Sequence, residues 1–334
     1  MEDVPVWFVS LACLGALYIV AICCRPLAYL VLCLRQPKDL HRYGSWAIVT
    51  GPTSGLGRSM AMELARRGLN LVLLDLNANN LQETSEAIKS LHPVKIKTVV
   101  LDLSLVATPE GDAAIRRLRE EIEGLDVGLL VNNAAVNTPG AVYLHEADVE
   151  RFVRMIRVNL WGLTEVTAAV LPRMLARRRG AIVNVGSGST VAVPSFPLYT
   201  VYSSTKKYVA QLSRSLYVEY KSKGIDVQYQ VRQARPWFVA TADEYTSTAA
   251  RWIGTGPLCV PGAAQKLQWC LTGFVPDWVH DWYRIRLHLQ HRAVLRGGGR
   301  RAVIANNAHP RGEQAGTPPN ANASVAVGQT SVAS

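Results

Sequence analysis

Trp46-Ala47-Ile48-Val49-Thr50-Gly51-Pro52-Thr53-Ser54-Gly55-Leu56-Gly57-Arg58-Ser59-Met60-Ala61-Met62-Glu63-Leu64-Ala65 decides the fold of this chain. Residues 46–50 are a short apolar run of the kind that forms a buried parallel strand. Glycines at 51, 55 and 57 let the backbone turn tightly. Residues 57–67 then read as a helix. Strand, glycine loop and helix in that order bring a helix N-terminus and bare backbone to an anion such as a pyrophosphate. The spacing Gly-x-x-x-Gly-x-Gly departs from the commoner Gly-x-Gly-x-x-Gly, but the mechanics are the same. Gly51, Ser54, Gly55, Leu56 and Gly57 are therefore candidate cofactor-binding residues.

Outward from this stretch the pattern repeats. Apolar strand-like runs recur at 46–50, 70–75, 96–101, 127–131, 181–185 and 225–231. Helix-like stretches at 57–67, 79–90, 110–122, 147–175 and 201–222 separate them. Alternating strands and helices predict an α/β domain, a Rossmann-like doubly wound parallel sheet covered on both faces. Ligands bind such sheets beyond the carboxyl ends of the strands. The glycine loop, Asp75, Asp102, Asn132, Ser187 and Tyr202 all fall at or just after expected strand ends.

Tyr202-Ser203-Ser204-Thr205-Lys206 supplies the chemistry. Residues four apart share one helix face. A lysine so placed favours the phenolate and lowers the tyrosine pKa from its usual value of about 10. The phenol then serves as an acid or base near neutral pH.

Taken together, the glycine loop, Asp102 in Val-Val-Leu-Asp-Leu, Asn132-Asn133-Ala134, Asn159 in Val-Asn-Leu-Trp-Gly, and Tyr202 with Lys206 resemble the short-chain dehydrogenase/reductase family, in that family's order. The likeness spans roughly residues 45 to 242. Within the family the chain most resembles the plant-type, membrane-bound very-long-chain 3-oxoacyl-CoA reductases. Arg42-Tyr43-Gly44-Ser45-Trp46, Gly124-Leu125-Asp126-Val127-Gly128, Ala169-Val170-Leu171-Pro172-Arg173-Met174 and Val218-Glu219-Tyr220-Lys221 carry that closer likeness.

The resemblance implies hydride transfer between a nicotinamide cofactor and a carbonyl. It makes Tyr202 the proton donor and Lys206 its modulator and a holder of the nicotinamide ribose. It has Asn159 position a water that leads to Lys206. A serine should hydrogen-bond the substrate oxygen. Alignment on the strand end picks Ser187, whereas the family's usual spacing to the tyrosine picks Ser189. Asp102 should contact the adenine, and Asn132 and Asn133 should shape the cofactor floor. The resemblance also implies a long-chain acyl-CoA substrate, membrane lipid, other elongase subunits as partners, and the endoplasmic reticulum membrane with the catalytic domain in the cytosol.

Three positions depart from the family pattern. Ala135 stands where glycine is usual, and it costs little unless a positive φ is needed. Asp75 closes the second strand and suits the ribose hydroxyls of NADH, repelling a 2′-phosphate. The family implies NADPH, so NADH stays open beside it. The loop 230–241 is lengthened and bears Arg232 and Arg235.

The formal charge is +11, yet the basic residues are scattered among helix faces and no recognition motif accompanies them. Nucleic acid is not expected as a partner. The six cysteines have neither a disulfide framework nor zinc spacing, and no metal site is expected. Residues 5–24 carry no charge and are long enough to cross a hydrocarbon core of about 30 Å. The acidic start Met1-Glu2-Asp3 is unlike a cleaved signal, and Arg25, Arg35, Lys38 and Arg42 place the following domain on the cytosolic side. Three regions result: an anchor and juxtamembrane segment at 1–36, the catalytic domain at 37–296, and a disordered tail at 297–334. Residues 265–292 mix aromatic and basic side chains, which suits a membrane interface, a substrate entrance or plain helix packing. The same catalytic set also serves steroid and other lipid dehydrogenases, and a catalytically weak elongase partner is a further alternative.

Overall fold

The computed structural model describes residues 5–34, 36–137, 140–191, 193–232, 241–261 and 275–307. The chain divides into a unit over residues 1–39 and a unit over residues 40–334. The first is built on helix α1 (Val6–Leu34), along which Val6, Trp7, Phe8, Leu11, Leu14 and Leu17 are exposed. Among the described residues no helix is long and apolar enough to cross a membrane. The expected anchor at 5–24 includes side chains at 21 and 22 that lie outside the described ones.

The second unit is organised by a seven-stranded sheet. Its strands are β1 (Trp46–Thr50), β2 (Asn70–Asp75), β3 (Ile96–Val100), β4 (Val127–Asn132), β5 (Gly180–Ser187), β6 (Ile225–Arg232) and β7 (Leu258–Cys259). They lie in the order β3-β2-β1-β4-β5-β6-β7, and every pairing is parallel. Chain direction across the sheet reverses between β1 and β4, so the switch point lies where the glycine loop leaves β1.

Alternate residues of one strand feed opposite cores, which is why these strands read as continuous apolar runs. Ala47 and Val49 of β1 pack on one face with α2 (Gly55–Arg66), α3 (Ala78–Leu91) and α9 (Ala242–Arg251) through Leu64, Ile88 and Ala249. Ile48 packs on the other face with α4 (Pro109–Glu121) and α6 (Leu163–Ala176) through Leu118 and Val170. Among the described residues the other α-helices are α5 (Val149–Ile156), the short α7 (Gly188–Val191), α8 (Thr200–Tyr220) and α10 (Asp277–Asn307).

The structure departs from the sequence expectations in five places. The helix expected over 147–175 is broken by a π-helical segment, Arg157–Gly162. Strand β5 runs two residues past 185, so Ser187 closes the strand rather than following it. Strand β7 and helix α9 were not expected. A capping box formed by Thr241 and Glu244 opens α9, and β7 is a two-residue extension of the sheet. Helix α10 continues to Asn307, past the point where the tail was expected to begin, and residues 308–334 lie outside the described ones.

Candidate active site

The glycine loop is held by backbone geometry and by side chains at the ends of the neighbouring strands. Gly51 has φ +65° and Gly55 φ +50°, a left-handed backbone that side chains resist. Gly57 is needed for space: a Cβ there would lie 1.9 Å from the Gly51 carbonyl oxygen and 2.4 Å from Asn133 Nδ2. Asn133 Nδ2 donates to the carbonyls of Thr50 (3.1 Å) and Gly51 (3.0 Å). Thr50 Oγ1 in turn accepts from the backbone N–H groups of Asn133 and Ala134, each at 3.0 Å. The ends of β1 and β4 are thereby locked at the switch point. Ser54 caps α2 without a side-chain bond to the helix. Its hydroxyl and the first N–H groups of α2 suit the phosphates of a dinucleotide. The cradle left by glycine at 57 fits the close approach such a cofactor requires.

Asp75 sits across from this loop. Its carboxylate accepts from Thr53 Oγ1 at 2.8 Å and from the Leu76 N–H at 2.7 Å, so it joins the end of β2 to the glycine loop. Asp102 caps the turn that follows β3, accepting from the Ser104 N–H at 2.8 Å. Asn132 sits at the end of β4 with its side chain turned inward. Its side chain is 3% exposed and donates to Thr167 Oγ1 and Asn184 Oδ1, within a buried polar relay that continues to Ser213. The β-strand alternation explains this, because Asn132 and Asn133 point to opposite sides. Ala135 is not among the positive-φ residues, so the missing glycine imposes no backbone strain.

The Tyr202–Lys206 pair lies in the first two turns of α8 and faces the end of β5. Ser187 lies close enough to the Tyr202 hydroxyl to act on its pKa, in the lowering direction. Ser189 donates to Ser187 Oγ through its own hydroxyl (2.9 Å) and its N–H (3.2 Å). Ser187 therefore meets the tyrosine, and the more buried Ser189 orients Ser187. Lys206 is 5% exposed, and its Nζ donates to the Val185 carbonyl at 3.0 Å. Burial and then the nearby Arg232 charge lower the Lys206 pKa to about 8.

The expected lowering of the tyrosine pKa is not seen. Burial holds the Tyr202 hydroxyl above its ordinary value, against the opposing pull of the nearby Ser187 side chain and the Arg232 charge. The cost of burying the phenolate outweighs those two contributions.

Asn159 lies in the π-helical segment and is 1% exposed. Its Oδ1 accepts from the Val136 N–H at 2.8 Å, and its Nδ2 donates to the Val136 carbonyl (3.0 Å) and Thr205 Oγ1 (3.1 Å). The side chain thus fastens the segment after β4 to α8. Single-turn π-helical insertions recur at functional sites.

Tyr229, Gly186 and the apolar residues beside Tyr202 were not singled out from the sequence, whereas Arg232 and Arg235 were. Tyr229 of β6 lies beneath the catalytic corner: its hydroxyl accepts from the Ser187 N–H (3.0 Å) and bonds Thr190 Oγ1 (2.7 Å). Gly186 makes room for that ring, since a Cβ there would come within 2.0 Å of it. Arg232 is the last residue of β6 and pairs with Ser187 in the ladder. Arg235 lies outside the described residues. A shallow pocket beside Tyr202 is walled by Val142, Leu144, Phe152, Met155 and Leu198.

Helix α10 uses its two faces differently. Inward, His288 Nδ1 donates to the Pro197 carbonyl at 2.6 Å, its ring packs on Phe196 and Tyr199, and Arg292 pairs with Glu146. Outward, Trp278, Trp282 and Tyr283 are exposed, with the Arg286 guanidinium 4.2 Å from the Trp282 ring centre. Trp269 and Phe274 lie outside the described residues.

Residues 45–241 match the family model described as short chain dehydrogenase. A very-long-chain 3-oxoacyl-CoA reductase-like protein of Arabidopsis thaliana is 40% identical over 86% of this chain and 96% of its own length. A very-long-chain 3-oxoacyl-CoA reductase of Rattus norvegicus is 33% identical over 72% of this chain and 78% of its own. Among solved structures, a short-chain dehydrogenase of Sphingobium yanoikuyae in complex with NADPH superimposes with a TM-score of 0.57 at 28% identity, covering 70% of this chain and 96% of that one.

Proposed function

The chain belongs to the short-chain dehydrogenase family of oxidoreductases, and from that premise we propose that it reduces the 3-keto group of a very-long-chain 3-oxoacyl-CoA to a 3-hydroxy group in fatty-acid elongation. The observation that carries the reading is the Tyr202 hydroxyl beside Ser187 at the end of β5, with Lys206 one helical turn on along α8. The names of the Arabidopsis and rat relatives support the substrate.

A bound nicotinamide supplies the hydride. The residues of the chain do the rest. Ser187 would donate to the substrate carbonyl oxygen and fix its position next to Tyr202. Tyr202 gives its proton to that oxygen as negative charge develops there, and its raised pKa keeps the donor protonated at neutral pH. Lys206, nearly dry and with its pKa lowered to about 8, is poised to move a proton rather than to hold a permanent charge. Asn159 and Thr205 keep α8 in place beneath this exchange. Ser54, Leu56 and the three glycines would hold the pyrophosphate, with Asp75 toward the ribose and Asp102 toward the adenine.

NADPH is the proposed donor, in line with the NADPH-bound relative. The Asp75 carboxylate opposes a 2′-phosphate and keeps NADH in competition. The proposed setting is the endoplasmic reticulum membrane, with residues 5–24 as a retained anchor, the catalytic domain in the cytosol and other elongase subunits nearby. The uncharged stretch 5–24 and the exposed apolar side chains of α1 support the anchor. An unbroken helix of 29 residues is about 43 Å long.

The test follows nicotinamide absorbance in microsomes containing the full chain, with a long-chain 3-oxoacyl-CoA and either NADPH or NADH. Oxidation of NADPH that falls at least about 100-fold in Tyr202→Phe supports the proposal. Preference for NADH assigns the choice of cofactor to Asp75. Turnover of steroid ketones but not of the acyl-CoA redirects the reading to another lipid dehydrogenase. Absence of turnover with folded protein removes the reductase in favour of a non-catalytic elongase partner.

A further inference from the structure

Ser187 is held at its N–H, its carbonyl and its hydroxyl oxygen. A closed circuit holds the backbone. The Ser187 N–H donates to the Tyr229 hydroxyl oxygen at 3.0 Å, and the Thr190 hydroxyl donates to the Ser187 carbonyl at 2.7 Å. The two hydroxyls lie 2.7 Å apart. Each has one proton to give. Thr190 gives its own to the Ser187 carbonyl, so Tyr229 is the donor between them. The circuit therefore runs one way, from the Ser187 N–H through Tyr229 and Thr190 back to the Ser187 carbonyl.

The side-chain oxygen is filled from another direction. Ser189 donates to Ser187 Oγ twice, through its hydroxyl at 2.9 Å and its N–H at 3.2 Å. A serine hydroxyl has two acceptor sites and one proton. With both acceptor sites taken, Ser187 is left to donate. A carbonyl oxygen, which only accepts, matches that polarity. The fold makes room for the circuit at Gly186, where a Cβ would lie 2.0 Å from Tyr229 Cζ and 2.4 Å from its hydroxyl oxygen. Tyr229, Thr190 and Ser189 are all buried, so water competes little for these bonds. Burial holds the Tyr229 hydroxyl above its ordinary pKa, against the bonds to Thr190 and Ser187, so it keeps its proton and the circuit its direction.

We propose that Tyr229 and Thr190 are positioning residues for the reaction: their closed hydrogen-bond circuit fixes the Ser187 backbone, so that its hydroxyl, made a donor by Ser189, meets the substrate carbonyl oxygen in one orientation. The proposal rests on the reading of Ser187 as the residue that donates to the substrate oxygen. Tyr229 acts through that serine rather than on the substrate.

Tyr229→Phe keeps the ring beside Gly186 and deletes only the hydroxyl. In the full chain, with a long-chain 3-oxoacyl-CoA and NADPH, kcat should fall about tenfold while KM for NADPH stays within about twofold. In a Ser187→Ala protein the same substitution should change the residual kcat by less than about twofold, because the group it works through is gone. A merely structural loss would lower the rate in both backgrounds. Thr190→Val should reproduce the fall, and Thr190→Ser, which keeps the hydroxyl, should recover it. Hydrogen exchange of the Ser187 amide reads the circuit without turnover and should quicken about tenfold in Tyr229→Phe. Wild-type kcat in folded Tyr229→Phe overturns the proposal. So does an equal fall in the Ser187→Ala background, or a Ser187 amide that exchanges as slowly as in the wild type. If Tyr229→Phe does not fold, Thr190→Val is compared with Thr190→Ser, and equal rates in those two overturn it. Low turnover in Ser187→Ala beside wild-type kcat in Tyr229→Phe removes the positioning role alone. Full turnover in Ser187→Ala, or no turnover in the wild type, removes the reading beneath it and the proposal with it.

Discussion

Replacing Gly57 with alanine tests the cofactor cradle through a clash whose size the structure fixes. The new Cβ would sit 1.9 Å from the Gly51 carbonyl oxygen and 2.4 Å from Asn133 Nδ2, where real contacts stay beyond 3.0 Å. The loop and the start of α2 must part by about 1 Å. Both obstructing atoms belong to the clamp that Asn133 makes on Thr50 and Gly51, and one is backbone, so no flexible side chain can absorb the shift. Losing those two hydrogen bonds, each about 1 kcal/mol net, and adding overpacking of about 1–2 kcal/mol gives a destabilisation of roughly 3–4 kcal/mol. For a domain of this size that is about 6–15 °C in melting temperature. Displaced N–H groups should also weaken nicotinamide dinucleotide binding by about 100-fold, equivalent to about 2.8 kcal/mol. Gly55→Ala is the control. Nothing lies within 4 Å of its would-be Cβ, and only its φ of +50° resists substitution, at about 1–2 kcal/mol. Thermal unfolding and fluorescence titration of the cofactor read both quantities. A Gly57→Ala protein within about 0.5 kcal/mol of the wild type, with unchanged affinity, refutes the steric argument. So does a Gly55→Ala protein that loses as much as Gly57→Ala.

Asn159→Ala removes three buried hydrogen bonds to Val136 and Thr205 and should cost about 2–4 kcal/mol in denaturant unfolding; a loss of under about 1 kcal/mol rejects the fastening role. The His288 side chain predicts an acid-sensitive fold. Its pKa is lowered to about 4, chiefly by burial, against an ordinary value of about 6.5. The unfolded chain therefore takes up a proton that the folded chain refuses. Stability is complete above about pH 6.5 and declines as pH falls toward 4, by up to about 3 kcal/mol. His288→Gln keeps a donor for the Pro197 carbonyl and should flatten this slope in melting temperature measured against pH, whereas an unaltered slope assigns it to other groups.

The order of strands and helices was legible because a sheet buried on both faces leaves unbroken apolar runs, as in Trp46–Thr50 and Val127–Asn132. The π-helical segment was not, because its residues continue the periodicity of the helices on either side. Strand β7 was missed for a different reason. Two residues carry no period, and Leu258–Cys259 is defined only by its pairing with Tyr229 and Gln230. In the site, the sequence pointed to Tyr202, Lys206, Ser187 and the glycines because their chemistry is local. Asn132 turns inward while its neighbour Asn133, of the same type, faces the loop, and sequence adjacency does not say which face is which. Tyr229 was invisible because its role depends on Gly186 and Ser187 being its neighbours across the ladder rather than along the chain. The capping box at Thr241 and Glu244 was present in the sequence and would have revealed α9.

The ladder between β5 and β6 works as a ruler. Its eight rungs start at Gly180 and Ile225, at the far edge of the sheet, and its last rung carries Ser187 and Arg232. Position at the reacting end is set by counting residues from the other end. One residue added between Ile225 and Tyr229 would slip the register, turn Tyr229 away from Ser187 and send every side chain beyond it to the opposite face. One residue added after Arg232 would change none of these alignments. The lengthened loop of this chain begins at that boundary, where extra length leaves the measure untouched.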